Sequence, residues 1–292
     1  MKKILYFSFF CSLSLPLAAF GQTHAHASFF PPNSLRFPVD GKSINQGLSQ
    51  EATVSAIEAV KLAYDDYIRQ DGREFTFDLL WKSEEVNAIH FASRSRVLIS
   101  IFGGIARHPL MSADGFKFVL CHELGHSFGG FPQKSKEDFA SSEGQSDYYA
   151  SLKCMRKVLA QEDNAKFLRA VQIPAVLKKA CEQSHTSRED QLICMRSTLA
   201  GLNLGKILAT LKAGIPTPDL STPDLSVVQT TNLSYPTVQC RLDTFFQGAL
   251  CTKPVHESLY YADEMKGTCN VSEGFTKGVR PACWFKPAYS GM

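Results

Sequence analysis

Apolar side chains return every two to four positions from Val54 through Ile57, Val60, Leu62 and Tyr64 to Ile68, and Asp71-Gly72 closes the run. That periodicity predicts an amphipathic helix over residues 49–70. Phe75, Phe77, Leu79 and Trp81 then alternate with polar residues, and residues 86–91 and 96–102 repeat the pattern, so three strands follow the helix. Gly103-Gly104 ends the last of them. Ser112 is a fitting N-cap, Asp114 suits a first helical turn, and Phe116, Phe118, Val119 and Leu120 lead into Cys121-His122-Glu123-Leu124-Gly125-His126. Gly129-Gly130, with Pro132 beyond, should stop this helix. A further helix is expected from Ser141-Ser142 through Glu143 to about residue 159, and residues 163–213 stay mostly helical apart from Pro174 and the polar stretch 182–190.

The flanks read differently. Residues 22–48 are rich in Pro, Asn, Ser and Gly and form an irregular lead-in, in which His24 and His26 fit a solvated tail better than a metal clip. Residues 214–236 are a linker holding Thr-Pro-Asp-Leu-Ser twice in tandem. Residues 237–292 have few long apolar runs and four cysteines, the signature of a disulfide-stapled cap packed on the preceding domain. The chain therefore divides into 1–21, a main domain over 22–213, the linker and the cap. The fold class is α+β: a small antiparallel-edged sheet beside a central helix, then a mostly helical region.

Residues 1–21 change the compartment. Lys2-Lys3 precede the apolar run 4–20, and Ala19-Phe20-Gly21 offers small residues where a signal peptidase reads them. This predicts export, to a periplasm or the exterior, with cleavage before Gln22; Ala25-His26-Ala27 is a second candidate cleavage site, and a membrane anchor is the competing reading. No later stretch approaches the ~20 apolar residues of a spanning helix, so no stable membrane insertion is expected after cleavage. Without Lys2 and Lys3, 29 basic residues face 28 acidic ones, a near-neutral balance that argues against nucleic-acid partners. Of nine cysteines, Cys11 leaves with the leader, and the eight that remain are an even count fit for disulfides. Pairing of neighbours would join Cys181 to Cys194, Cys240 to Cys251, Cys269 to Cys283 and Cys121 to Cys154. The last bridge would pin two predicted helices together, the alternative being two buried thiols.

His122-Glu123-Leu124-Gly125-His126 is a His-Glu-x-x-His motif. Residues four apart on a helix lie one above the other, so both imidazoles can reach one metal, while Glu123 sits about 100° round the axis, close enough to take a proton from activated water. A catalytic zinc requires a third protein ligand and an open fourth position. Metzincins place that ligand six residues beyond the second histidine, where this chain has Pro132. Glu143 and Asp147 supply another solution: they share a helical face, on which Glu143 would ligate and Asp147 would accept the free N–H of a ligating imidazole. Both acids would also cap their helix. Glu137 and Asp138 compete, from a Lys-rich loop that reads as solvated.

Over about residues 85–155 this combination of His-Glu-x-x-His and a downstream Glu-x-x-x-Asp resembles the gluzincin peptidases, the thermolysin-like and prenyl-protease-like enzymes. Asn87-Ala88 and the strand ahead of the motif helix look most like the prenyl-protease-like branch. The resemblance implies a zincin-like catalytic domain, one Zn²⁺ per chain on His122, His126 and Glu143, Asp147 behind a ligand, and protein or peptide substrates. Two departures stand out. Only sixteen residues (127–142) separate His126 from Glu143, and the membrane helices usual in that branch are missing.

The expected function is a zinc metallo-endopeptidase with Glu123 as general base. The alternatives are an exported binding protein with a structural or vestigial zinc site, and a zinc amidase acting on cell-wall peptides. Strand 96–102 is the candidate edge for an extended substrate. His90, His108, Tyr148, Tyr149, His185 and His256 are unranked candidates for an oxyanion donor.

Overall fold

Ser49 accepts from the Ala52 N–H and so starts helix α1 (Gln50–Asp71), which Gly72 ends at φ 79°. The computed structural model describes residues 25–39, 47–134 and 140–288; the expected leader, His24, Glu137 and Asp138 lie outside them. The buried stripe of α1 is Thr53, Ala56, Ile57, Val60 and Tyr64, a three-and-four spacing. Two positions assigned to that stripe from sequence, Val54 and Leu62, are instead 44% and 78% exposed, because at about 100° per residue both fall outside the arc that the stripe turns to the core.

The predicted strands appear as β2 (Glu74–Leu80), β3 (Ala88–Ala92) and β4 (Arg96–Phe102), and the lead-in adds β1 (Ala25–Ser28). The sheet order is β1-β3-β4-β2. β1 and β3 are antiparallel, β3 and β4 are antiparallel, and β2 runs parallel to β4. This corrects two expectations. Part of residues 22–48 is a strand, which its small polar composition concealed. Strand β4 is central, not an edge: Val97, Ile99 and Ile101 are fully buried, and its backbone is paired on both sides.

Gly103 opens a short helix α2 (Gly103–Ala106), after which Ser112 caps α3 (Ala113–Phe128) through the Gly115 N–H. Helix α3 runs through the core and is buried along almost its whole length. Its charged start is neutralised internally. Arg196 donates to Asp114 at 2.6 and 2.9 Å and to Glu162 at 2.5 Å, and Lys117 meets Glu162 at 2.6 Å. Helix α4 (Glu143–Tyr149) continues through a π turn (Ala150–Cys154) into α5 (Met155–Leu159). Helices α6 (Asn164–Arg169), α7 (Ala175–Ser184) and α8 (Arg188–Thr210) follow. By length and composition α8 is apolar enough to cross a membrane, contrary to the sequence expectation, but most of it is buried in this core and Arg196 lies within it.

The C-terminal part holds α9 (Val238–Leu250), whose Leu242, Phe245, Ala249 and Leu250 join the same core as α3 and α8. Reading residues 237–292 as poor in apolar runs missed this helix. Trp284 and the two C-terminal disulfides form a smaller cluster with Tyr148 and Leu152. Four disulfides are present, which suits an oxidising compartment: Cys121–Cys154, Cys181–Cys194, Cys240–Cys283 and Cys251–Cys269. The first two match neighbour pairing. The last two correct it, because the chain after α9 doubles back and lays Cys283 beside the start of that helix.

Candidate metal centre

Helix α3 turns His122 and His126 to one side, and α4 brings Glu143 opposite them. Their potential ligand atoms form a small triangle: His122 Nε2 is 3.1 Å from His126 Nε2 and 3.2 Å from Glu143 Oε2, and His126 Nε2 is 3.8 Å from the same oxygen. All three side chains are fully buried, and together they could hold a metal ion. The only other such grouping among the described residues, Asp224 with Cys240 and Cys283, is ruled out as a thiolate site because the two sulfurs are bonded to each other.

The close approach of the two helices depends on Gly125. A Cβ there would lie 2.9 Å from the Ser146 Cα, so any larger residue would push α4 away. The short connection is closed by the backbone. The N–H of Ser141 reaches His126 O at 3.0 Å, that of Ser142 reaches Pro132 O at 2.8 Å, and the Gln145 amide donates to Gly129 O at 2.7 Å. Gly130 sits at φ 71°, a left-handed conformation suited to glycine, where the chain leaves α3. Cys121–Cys154 ties α3 to the π turn beyond α4.

Both imidazoles are oriented through Nδ1. The His126 N–H donates to the Ser141 carbonyl at 2.7 Å, with Ser146 Oγ also near at 2.9 Å, which leaves the Nε2 lone pair facing the triangle. The His122 N–H donates to Asp147 Oδ1 at 2.7 Å, the partnership expected from sequence. Asp147 is itself held by Arg241 from α9, with Nε 2.7 Å from Oδ2 and Nη2 2.8 Å from Oδ1. Nothing local in the sequence marks Arg241. The one signal is a charge set among Cys240, Leu242, Phe245 and Phe246 in a helical stretch, which requires a buried partner.

The electrostatics follow from this packing. Burial alone would lower the His122 pKa, but Asp147 and then Glu143 outweigh it and raise it to about 9. The same carboxylates favour any cation at Nε2, so proton and metal compete for that lone pair. Glu143 is held down at about 2, its burial overcome by His126, His122 and Lys134, whose Nζ lies 3.1 Å from Oε1. Burial pushes Glu123 up to about 8. The Phe29 backbone N–H lies near enough to lower it slightly, yet that N–H donates to Ala88 O at 3.1 Å and neither Glu123 oxygen has a hydrogen-bond partner.

Of the six unranked donors, His90 bonds Ser127 Oγ at 2.8 Å and its ring centre lies 5.4 Å from that of His126. Tyr148 is committed to Gly278 O, Tyr149 to Tyr64, His185 to Ala249 O and His108 to Thr210. Tyr235, from the supposed linker, was not on that roll, yet its hydroxyl feels the charges of Glu143, Arg241 and Glu123. Compared with known protein families, with curated proteins and with solved structures, the chain matches none.

Proposed function

We propose that the protein is a zinc-dependent endopeptidase working in an oxidising compartment outside the cytoplasm, with His122, His126 and Glu143 as ligands and Glu123 as general base. The observation that carries the reading is the triangle with an unpaired carboxylate beside it. Four-coordinate zinc with bonds of about 2.0–2.1 Å spaces its donors by roughly 3.3–3.4 Å, close to the 3.1, 3.2 and 3.8 Å found here. Two histidines and a glutamate leave a fourth position free, the pattern of catalytic rather than structural zinc. A sheet lying along the metal-bearing helix supports a zincin-like fold, and the four disulfides together with the apolar leader support export.

Bound zinc would supply Lewis acidity, activating water and polarising a carbonyl. The chain's own residues supply the rest. Asp147 and the Ser141 carbonyl fix the imidazole tautomers. Arg241 keeps Asp147 ionised, holding its pKa down against burial. Glu123, raised toward neutrality, is matched to taking a proton from water and passing it to a leaving amine.

A structural metal site is the second reading, favoured by the complete burial of the four side chains. Glu123 weighs against it. A buried carboxylate with neither oxygen hydrogen-bonded is destabilising by several kcal/mol, and a structural metal has no use for it. The test is metal analysis of the purified protein with a peptide-library assay, extended to cell-wall peptides, of wild type and Glu123→Gln. About one zinc in both proteins, with hydrolysis only in the wild type, is expected. Equal hydrolysis by both would overturn the role of Glu123, and no hydrolysis by a zinc-loaded wild type would favour the structural reading.

A further inference from the structure

With β4 in the middle of the sheet, the edge nearest the metal centre would be β3, and the chain's own segment β1 covers it. The pairing sets Ala25 opposite Ala92, His26 opposite Phe91, Ala27 opposite His90 and Ser28 opposite Ile89. Beyond Ser28 one more backbone bond follows, from the Phe29 N–H to Ala88 O at 3.1 Å, and side chains hold the other backbone atoms. Asn87 accepts from the Phe30 N–H at 3.1 Å and donates to the Phe30 carbonyl at 3.2 Å. Arg241 donates to the Phe29 carbonyl at 2.7 Å, using a nitrogen not engaged by Asp147. The Tyr235 hydroxyl lies 2.9 Å from the Ser28 carbonyl oxygen. Three side chains far from this segment in sequence thus hold the main chain of three consecutive residues. Recognition through backbone groups is how a peptide substrate is held when it adds as a strand.

The same few residues reach the centre. The Phe29 ring meets the His122 ring edge-on at 4.9 Å between centres, and both Phe29 and Phe30 are fully buried. Around the Ser28–Phe29 amide, Tyr235 faces the carbonyl oxygen, and the nitrogen, whose N–H is bonded to Ala88 O, is near enough for Glu123 to feel it. An ordinary edge strand would need neither a hydroxyl donor at that carbonyl nor an unpaired carboxylate at the following nitrogen.

We propose that residues 25–30 occupy the substrate cleft as the protein's own first substrate, and that Ser28–Phe29 is the peptide bond the centre hydrolyses. This rests on the endopeptidase reading and deepens it. Water adds to the Ser28 carbonyl carbon, the bond to the Phe29 nitrogen breaks, and Glu123 carries a water proton to that nitrogen. The products are a peptide ending in the Ser28 carboxylate and a chain beginning at the Phe29 amine. The substrate class that follows is an extended peptide with a small residue before the cut and aromatic residues in the two positions after it.

The experiment compares wild type and Glu123→Gln, both produced as the full exported chain, by intact mass and N-terminal sequencing, with zinc or with a chelator. Zinc-loaded wild type should begin at Phe29. Glu123→Gln and chelated wild type should retain residues upstream of it, with cutting slowed at least about 100-fold. In Glu123→Gln, whatever the metal content, hydrogen exchange at Phe29 and Phe30 should be strongly protected, and Asn87→Ala should release Phe30. Fast exchange at both amides in Glu123→Gln would overturn the occupied cleft. A Phe29 terminus in Glu123→Gln would assign the cut to another protease and overturn self-processing. Wild type that hydrolyses library peptides while keeping its upstream residues would reject this inference and leave the endopeptidase reading standing. Wild type that hydrolyses nothing would reject both.

Discussion

Arg241 and Asp147 form a two-pronged ion pair sealed from solvent, with contacts of 2.7 and 2.8 Å, and through it α9 supports the imidazole of His122. Taking the guanidinium away would strand a carboxylate in a dry interior. Arg241→Met is therefore expected to lower stability by about 3–5 kcal/mol and to weaken metal binding roughly 10–100-fold. Denaturant melts and competitive metal titration measure the two effects. Unchanged metal affinity in a folded variant would show that Arg241 does not act on His122 through Asp147.

Gly125 sets the distance between the helices that carry the ligands. Alanine is the better helix former by about 1 kcal/mol, but here its methyl would meet the Ser146 backbone at 2.9 Å. Crowding should win: Gly125→Ala is expected to lose about 1–3 kcal/mol and to bind metal more weakly. A variant more stable than wild type would refute the close contact.

The bridge between Cys121 and Cys154 closes a separation of 33 residues around the centre. Replacing both cysteines by serine should cost about 3–4 kcal/mol on the chain-entropy estimate. A non-reduced digest should show this pair together with 181–194, 240–283 and 251–269. Recovery of a peptide joining Cys240 to Cys251 would contradict the path drawn for the C-terminal segment.

Lys153, on the π turn, donates to Pro254 O at 2.6 Å, and burial pushes its pKa from 10.5 down to about 7. Glu257 opposes that shift, while Arg156, Lys157 and Lys253 add to it. Between the folded and unfolded values the unfolded chain binds the extra proton, so stability rises with pH, by up to about 1 kcal/mol per unit. The urea midpoint should climb from pH 7 to 9 and level off below 7, and Lys153→Met should flatten the climb. An equal slope in the variant would assign it to other groups.

The parts of the site legible in sequence are those encoded locally. His122 and His126 lie one helical turn apart, and Glu143 and Asp147 repeat that spacing, so the pattern alone puts each pair on one face. The same locality made α1, the three strands after it and the Ser112 cap readable. What escaped is long-range. Arg241 reaches Asp147 across 94 positions and Tyr235 reaches Ser28 across 207, and no periodicity records such meetings. Strand β1 escaped because four small or polar residues become a strand only when β3 offers them a ladder. The C-terminal disulfides escaped because proximity in sequence is a poor guide once the chain doubles back over a helix. The tandem Thr-Pro-Asp-Leu-Ser shows the same limit: Leu220 is buried and Leu225 lies open, so identical segments met different surroundings.

Arg241 follows Cys240, which is bonded to Cys283 near the end of the chain. During synthesis, Asp147 therefore emerges long before its counter-charge, which the packing of α9 and the 240–283 disulfide then hold in place. A nascent polypeptide that has passed Asp147 but not reached Arg241 lacks the brace behind His122. The candidate centre is thus braced only once residue 241 has been added, well after the three side chains that could hold a metal.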